Sequence, residues 1–339
     1  LLKFQEIFNS YGSTAILMNV NSGEIISMVS IPDFDLNKRE DISDRKFINR
    51  STKGVYELGS VFKTFTLAAG LQQNVIQEDT LFKNLPKKIK CAGRSISEYD
   101  MDIPSSLTAE EILIRSGNIG SIKIAQKVGL ENFKDFLENL DLLNKIQFDI
   151  EEVGNPIPFK WGKCKLATSA YGHGITTTPL QLAKAYAIIA NGGYKIEPTL
   201  IKKEKNLKRG EQIITQENSN KINEILRKIV TSEQGTANLA NIAGYEIAGK
   251  TGTAQKSIKG KYSKKKINTF ASIFPISSPK YVLIVLLDEP KLSETYIYEY
   301  NDGKKRKIIG TPFNTAGWTS VEVAKNIIEK IGPILAIKY

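Results

Sequence analysis

Glu57-Leu58-Gly59-Ser60-Val61-Phe62-Lys63-Thr64-Phe65-Thr66 is the stretch on which the reading of this chain turns. A helix begins near Ser60, and Val61, Phe62, Phe65, Ala68, Ala69 and Leu71 spread apolar side chains around nearly its whole circumference. A helix of that kind has to be buried, so the rest of the chain must wall it in. Ser60 and Lys63 stand at i and i+3, on one face of such a helix. A hydroxyl and an amine are therefore carried together into the interior.

The walls come from both ends of the chain. Residues 13–20 (STAILMNV) and 24–30 (EIISMVS) read as two strands joined by the Asn21-Ser22-Gly23 turn, a hairpin that ends at Ile31-Pro32-Asp33. A short amphipathic helix precedes them over residues 1–10, and residues 33–58 are polar and irregular. Near the other end, Glu246 to Ala248 leads into a strand. Thr269 to Pro275 and Tyr281 to Leu287 are short, apolar and β-rich, joined through Ser277-Ser278-Pro279. Strands linked by hairpins give a mainly antiparallel sheet.

Between them, residues 75–230 read as mostly helical. Thr108 and Glu111 form a T-x-x-E capping pattern. Ile119 to Val128 stops at Gly129, and Asn132 to Leu140 is amphipathic. Pro179 to Ala190 has proline at its start and Asn191-Gly192-Gly193 after its end. Asn218 to Thr231 is a further helix, and a last one runs from Ser320 to Ile331, stopped by Gly332-Pro333.

With 339 residues, 41% of them hydrophobic, the chain can bury one large core or two intimate subdomains. No apolar run reaches the roughly 18 residues of a membrane span, and Lys3, Gln5 and Glu6 interrupt the N-terminus, so it is not a signal peptide. The chain starts Leu-Leu rather than Met, which suggests a fragment or a processed form. The net charge of +11 is read as lysines spread over solvated faces rather than a nucleic-acid surface. The dense run Lys259 to Lys266, a hairpin or loop, offers only Tyr262 as a stacking platform. Cys91 and Cys164 are the only cysteines. Sequence leaves a disulfide between them open, and the reading adopted is two separate small hydrophobes. A zinc site with His173 would lack a fourth ligand.

Two further strings complete the chemistry: Ser116-Gly117-Asn118 and Lys250-Thr251-Gly252-Thr253. S-x-x-K, then S-x-N, then K-T-G is how a serine acyl-transferase without a catalytic histidine builds its site. Each string alone has a bland alternative: a serine N-cap, a helix-linking turn, a strand end with a solvated lysine. Together and in order they are specific. Ser60 needs a base beside it. Lys63 can serve if burial and a second cation, Lys250, depress its pKa. Ser116, on a turn between helices, could relay a proton to the leaving group, and Asn118 could hydrogen-bond a substrate amide. Gly252 lets a substrate backbone add along the strand. Lys250 and Thr251 could hold a terminal carboxylate. The backbone N–H of Thr253 would complete an oxyanion hole with the donors at Ser60. No G-x-S-x-G elbow surrounds Ser60, so the sole histidine, His173, is read as structural in its Gly172-His173-Gly174 turn. The string around Lys250 lacks the spacing of a P-loop.

Taken together, these motifs resemble those of class B penicillin-binding proteins, and within them the septal, cell-division type. The resemblance extends through Asp33-Phe34-Asp35, Tyr171-Gly172-His173-Gly174-Ile175, Thr178-Pro179-Leu180-Gln181-Leu182-Ala183, Leu287-Asp288-Glu289-Pro290-Lys291 and Thr315-Ala316-Gly317-Trp318. It implies an α+β fold: a five-stranded, mainly antiparallel sheet flanked by helices with an inserted helical subdomain. The sheet subdomain would take about 1–60 plus 235–339, and the helical one about 61–234. It implies a D,D-transpeptidase acting on peptidoglycan stem peptides ending in D-Ala–D-Ala, acylated by β-lactams at Ser60, and needing no metal or organic cofactor. Ser60, Lys63 and Ser116 would be catalytic; Asn118, Lys250, Thr251, Gly252 and Thr253 would bind substrate. Divisome membrane proteins would be partners. An inner-membrane anchor and a pedestal domain would lie outside this chain, with the catalytic domain in the periplasm. Gly117 departs from the usual Ser or Asp, but its side chain is not one the chemistry uses.

Two neighbouring functions share the fold. A serine β-lactamase needs a deacylating base; Glu151 and Asn155 have a superficially suitable spacing, but Pro156 and Pro158 suggest instead a loop that resembles the family's Leu-Pro-Glu turn. A penicillin-sensing receptor domain would acylate and signal, and the septal-type strings disfavour it.

Overall fold

The computed structural model describes residues 1–338 apart from 36, 39–40, 42, 204–208, 259 and 302–304. Helix α1 (Leu2–Ile7) precedes strands β1 (Gly12–Asn19) and β2 (Ile25–Ile31). A 3-10 turn over Gly59–Phe62 runs into helix α2 (Lys63–Gln72). Short strands β3 (Leu81–Phe82), β4 (Lys88–Cys91), β5 (Arg94–Ser97) and β6 (Leu107–Thr108) follow. The middle of the chain then carries helices α3 (Ala109–Ile114), α4 (Asn118–Val128), α5 (Leu130–Asn139), α6 (Lys163–Ser169), α7 (Pro179–Ala190) and α8 (Gln216–Thr231). Strands β7 (Ala248–Ile258), β8 (Lys261–Phe274) and β9 (Tyr281–Asp288), the hairpin β10 (Ile297–Asn301) and β11 (Lys305–Ile309), and helix α9 (Ser320–Lys338) complete it.

Five strands form one sheet in the order β2-β1-β9-β8-β7, every pair antiparallel. The N-terminal hairpin thus joins the C-terminal strands through β1 and β9, with Ala15 opposite Val285 and Ile16 opposite Ile284. Every residue of β9 is buried, as a central strand covered on both faces requires. Helices α7 and α9 both pack on β8 and β9. α7 is buried at all of its residues, its Pro179 start falls where the sequence placed it, and Thr178 caps it. Helix α2 lies among α4, α5 and α8, which accounts for its apolar circumference.

Four local expectations need correction. Ser60 lies in the 3-10 turn and the α-helix proper starts at Lys63, because Gly59 at φ 62° bends the chain there. The segment 75–108 is not helical: β4 and β5 form a hairpin around Ala92-Gly93, both at positive φ, the geometry of a two-residue hairpin turn. Helix α9 passes through Gly332-Pro333 instead of stopping. Pro333 deprives the Glu329 carbonyl of its helical donor, and the Tyr245 hydroxyl donates to that oxygen instead at 3.3 Å. Cys91 and Cys164 are not separate hydrophobes but a disulfide, tying β4 to the start of α6. The lysine-rich run is the turn-proximal part of the long β7–β8 hairpin; Lys259 itself lies outside the described residues.

Candidate active site

Three separated pieces of chain converge where β7, the last strand of the sheet, passes the 3-10 turn. The approach is backbone to backbone. A β-carbon on Gly252 would stand 2.2 Å from the Leu58 carbonyl oxygen and 3.3 Å from the Val61 nitrogen. The Gly59 α-carbon faces the Thr253 carbonyl, and Gly172 presses on the Gly59 carbonyl from the other side. Glycines at these points let Ser60 be gripped by main chain rather than held off by side chains.

Lys63 and Lys250 are fully buried and meet at Ser116. The Lys63 amine donates to the Ser116 carbonyl at 2.5 Å and to its hydroxyl at 3.2 Å. The Lys250 amine donates to the same hydroxyl at 2.9 Å and to the Thr251 carbonyl at 3.1 Å. Ser116 holds this place in a left-handed conformation, φ 59°, which costs a non-glycine residue on the order of 1–3 kcal/mol. Burial lowers the Lys63 pKa to about 7, with Glu98 opposing the shift. Burial, and then the neighbouring Lys63 charge, hold Lys250 well below the usual lysine range. An amine near 7 is neutral often enough at physiological pH to accept a proton.

Ser60, Lys63, Ser116, Asn118, Thr251 and Thr253 line one cavity of about 700 Å³. Lys250 lies behind Ser116, and Gly252 forms the seam with the 3-10 turn. The Thr251 hydroxyl shares a hydrogen bond with Thr236 at 2.6 Å, and the Thr253 hydroxyl accepts from the Ala316 N–H at 2.9 Å. The Asn118 amide donates to the Ser97 carbonyl at 2.9 Å. As the end strand of the sheet among the described residues, β7 offers an edge on which an extended chain can add.

His173 stacks between Tyr171 and Tyr262, with ring centroids 5.7 and 4.5 Å away. Its Nδ1 lies 3.9 Å from Glu57, which also accepts from the Tyr262 hydroxyl and the Gly174 N–H. The imidazole therefore braces the β7–β8 hairpin against the turn after α6. Glu151 and Asn155 are exposed and stand apart from the cavity wall, so they do not offer a deacylating base. Among the described residues no group of three or more His, Cys, Asp or Glu is placed to hold a metal.

Sequence reading missed several lining residues. Glu98 reaches the cavity just past β5, Thr236 just past α8, and Arg306 and Trp318 from beyond the sheet. None belongs to a local motif; the Thr315-Ala316-Gly317-Trp318 string flagged Trp318 only by likeness.

The Penicillin binding protein transpeptidase domain model matches residues 13–314. The chain is 32% identical to the probable peptidoglycan D,D-transpeptidase FtsI of Caulobacter vibrioides, over 100% of this chain and 56% of that protein. It is 30% identical to stage V sporulation protein D of Bacillus subtilis, over 83% of this chain and 46% of that protein. It thus spans about half the length of these curated relatives. Among solved structures, the TP domain of penicillin-binding protein 3 from Burkholderia pseudomallei superposes with a TM-score of 0.82 at 24% identity, covering 98% of this chain and 92% of that one. Sheet order, cavity and matched residues lead to one conclusion: the chain belongs to the penicillin-binding protein transpeptidase domain family.

Proposed function

We propose that this chain is the catalytic domain of a septal peptidoglycan D,D-transpeptidase. Its relatives named FtsI support the septal assignment. The observation that carries the chemistry is the buried Lys63–Ser116–Lys250 hydrogen-bond relay in the wall of the cavity that Ser60 enters.

In this reading neutral Lys63 takes the Ser60 proton as the hydroxyl attacks the penultimate D-Ala carbonyl of a stem peptide. The backbone N–H groups of Ser60 and Thr253 receive the developing oxyanion. Ser116, between the two amines, passes a proton to the departing D-Ala. An amine of a neighbouring stem then attacks the acyl-serine, and the relay runs in reverse. Lys250 and Thr251 receive the terminal carboxylate, Asn118 a substrate amide, and Gly252 leaves room for the peptide backbone. A β-lactam presents the same carbonyl and acylates Ser60, and no metal or organic cofactor takes part.

The division into a sheet subdomain of about 1–60 plus 235–339 and a helical subdomain of about 61–234 belongs to the same reading. So do an inner-membrane anchor outside this chain, a periplasmic catalytic domain and divisome partners. The Cys91–Cys164 disulfide fits an oxidising compartment.

The test is intact-mass spectrometry after brief exposure to benzylpenicillin, followed over hours, with Ser60→Ala as control. A persistent single adduct mapping to Ser60 is expected. Rapid loss of the adduct while penicillin is consumed would indicate a β-lactamase, and no adduct would sink the mechanism.

A further inference from the structure

Three helices of the middle of the chain carry side-chain caps of their own. Thr108 with Glu111 caps α3, Thr178 with Gln181 caps α7, and Thr215 caps α8. Helix α4, which follows Ser116, does not. Its N-cap is Gly117, with no side chain to accept the free N–H groups of the first turn. A β-carbon there would sit 3.1 Å from the Ile103 side chain, so the position is poorly suited to an ordinary cap.

The acceptor arrives from elsewhere. The Glu98 carboxylate accepts from the Asn118 N–H at 2.6 Å through one oxygen and from the Ile119 N–H at 2.8 Å through the other. It is 7% exposed and lines the same cavity as Ser60 and Lys63. The disulfide at Cys91 anchors the β4–β5 hairpin from which Glu98 extends.

We propose that Glu98 is a positioning residue for acyl transfer at Ser60: by accepting both N–H groups at the start of α4, it fixes the left-handed Ser116 between Lys63 and Lys250. The role rests on the acyl-transfer function proposed above. A carboxylate at this point also complements the positive end of α4 and acts on the base. Lys63 faces Lys250 on β7 across the Ser116 hydroxyl, and Glu98 beyond β5. The cavity wall adds Tyr99 and Asp100 after β5, Arg115 after α3, Tyr171 and His173 after α6, and Arg306 on β11. Among these, Glu98 supports the protonated form of Lys63 against burial. Removing its charge therefore lowers the pH at which Lys63 becomes neutral.

The experiment measures the second-order rate of Ser60 acylation by benzylpenicillin from about pH 5 to about pH 9. Wild type, Glu98→Gln and Glu98→Asp are compared, with circular-dichroism melts to establish folding. For E98Q the expected result is a plateau about tenfold lower and an acid limb moved down by about one pH unit. E98D, which keeps the charge but shortens its reach, should be slower with its acid limb unmoved. A folded E98Q with the wild-type acid limb overturns the proposal. If E98Q does not fold, E98D decides, and a wild-type rate there overturns it. Wild-type protein that takes up no adduct would defeat the acyl-transfer reading itself, whereas a wild-type adduct with an unchanged E98Q profile defeats only the role of Glu98.

Discussion

Gly252 rides directly on Leu58: a β-carbon at Gly252 would come within 2.2 Å of the Leu58 carbonyl oxygen. The contact is between two main chains, so neither side can yield by a rotamer change. Gly252→Ala should push β7 off the 3-10 turn that carries Ser60. Overpacking of this kind costs about 1–3 kcal/mol, and misplacing reacting groups by an ångström costs about a hundredfold in rate. Thermal melts and Ser60 acylation rates check both effects; wild-type acylation in G252A would show that the seam does not position the serine.

If Lys63 is the base proposed above, its burial fixes the sign of the pH dependence. Burial brings its pKa down from 10.5 to about 7, and only the neutral amine can take the Ser60 proton. The acylation rate should therefore rise as pH increases through about 7. For stability, the unfolded chain binds this proton up to about 10.5 and the folded chain releases it near 7. Within that window the unfolded state holds more protons, so this lysine's contribution to stability improves as pH rises from 7 towards 10.5. Lys63→Met should lose about a thousandfold in acylation without a lower melting temperature at neutral pH, since the burial penalty disappears with the charge. A K63M protein that still acylates at the wild-type rate would exclude Lys63 as the base.

The Cys91–Cys164 disulfide closes a sequence separation of 73 residues. Chain-entropy reasoning gives such a loop about 4 kcal/mol of stabilisation. The Cys91→Ser/Cys164→Ser double variant should shift its urea midpoint accordingly, and reductant should move wild type to the same curve. Coincident curves for oxidised and reduced wild type would contradict this.

Thr178 caps α7 in a fully buried capping box. Its hydroxyl accepts from the Gln181 N–H at 3.1 Å, while the Gln181 side-chain amide donates to the Asp141 and Asn144 carbonyls at 2.7 Å each. Thr178→Ala should cost about 1–2 kcal/mol in denaturant unfolding and leave the acylation rate of folded protein unchanged. An altered rate would mean that α7 is coupled to the site.

The sequence was most legible where its signals are local. The Asn21-Ser22-Gly23 turn between two apolar runs placed β1 beside β2, and Pro179 with Asn191-Gly192-Gly193 bounded α7. The three motif strings named Ser60, Lys63, Ser116, Asn118 and Lys250 to Thr253, all of which meet at one cavity or its immediate wall. Local signals also misled. Pro333 reads as a helix stop, yet the Tyr245 hydroxyl, 88 residues earlier in the numbering, serves the carbonyl next to it. Ala92-Gly93 is a hairpin turn whose alternating flanks, Lys88-Ile89-Lys90-Cys91 and Arg94-Ser95-Ile96-Ser97, were readable but short.

By itself the sequence determined most strands of the central sheet, the buried helix and the candidate site residues, because periodicity, turn chemistry and motif spacing act over a few residues. Only the tertiary structure decided that Cys91 meets Cys164, that Glu98 caps α4 from outside, and that two buried lysines share one serine hydroxyl. Those pairings join residues far apart in the chain. They are selected by how the elements pack around a common cavity, and burial there also sets the proton affinity of each lysine.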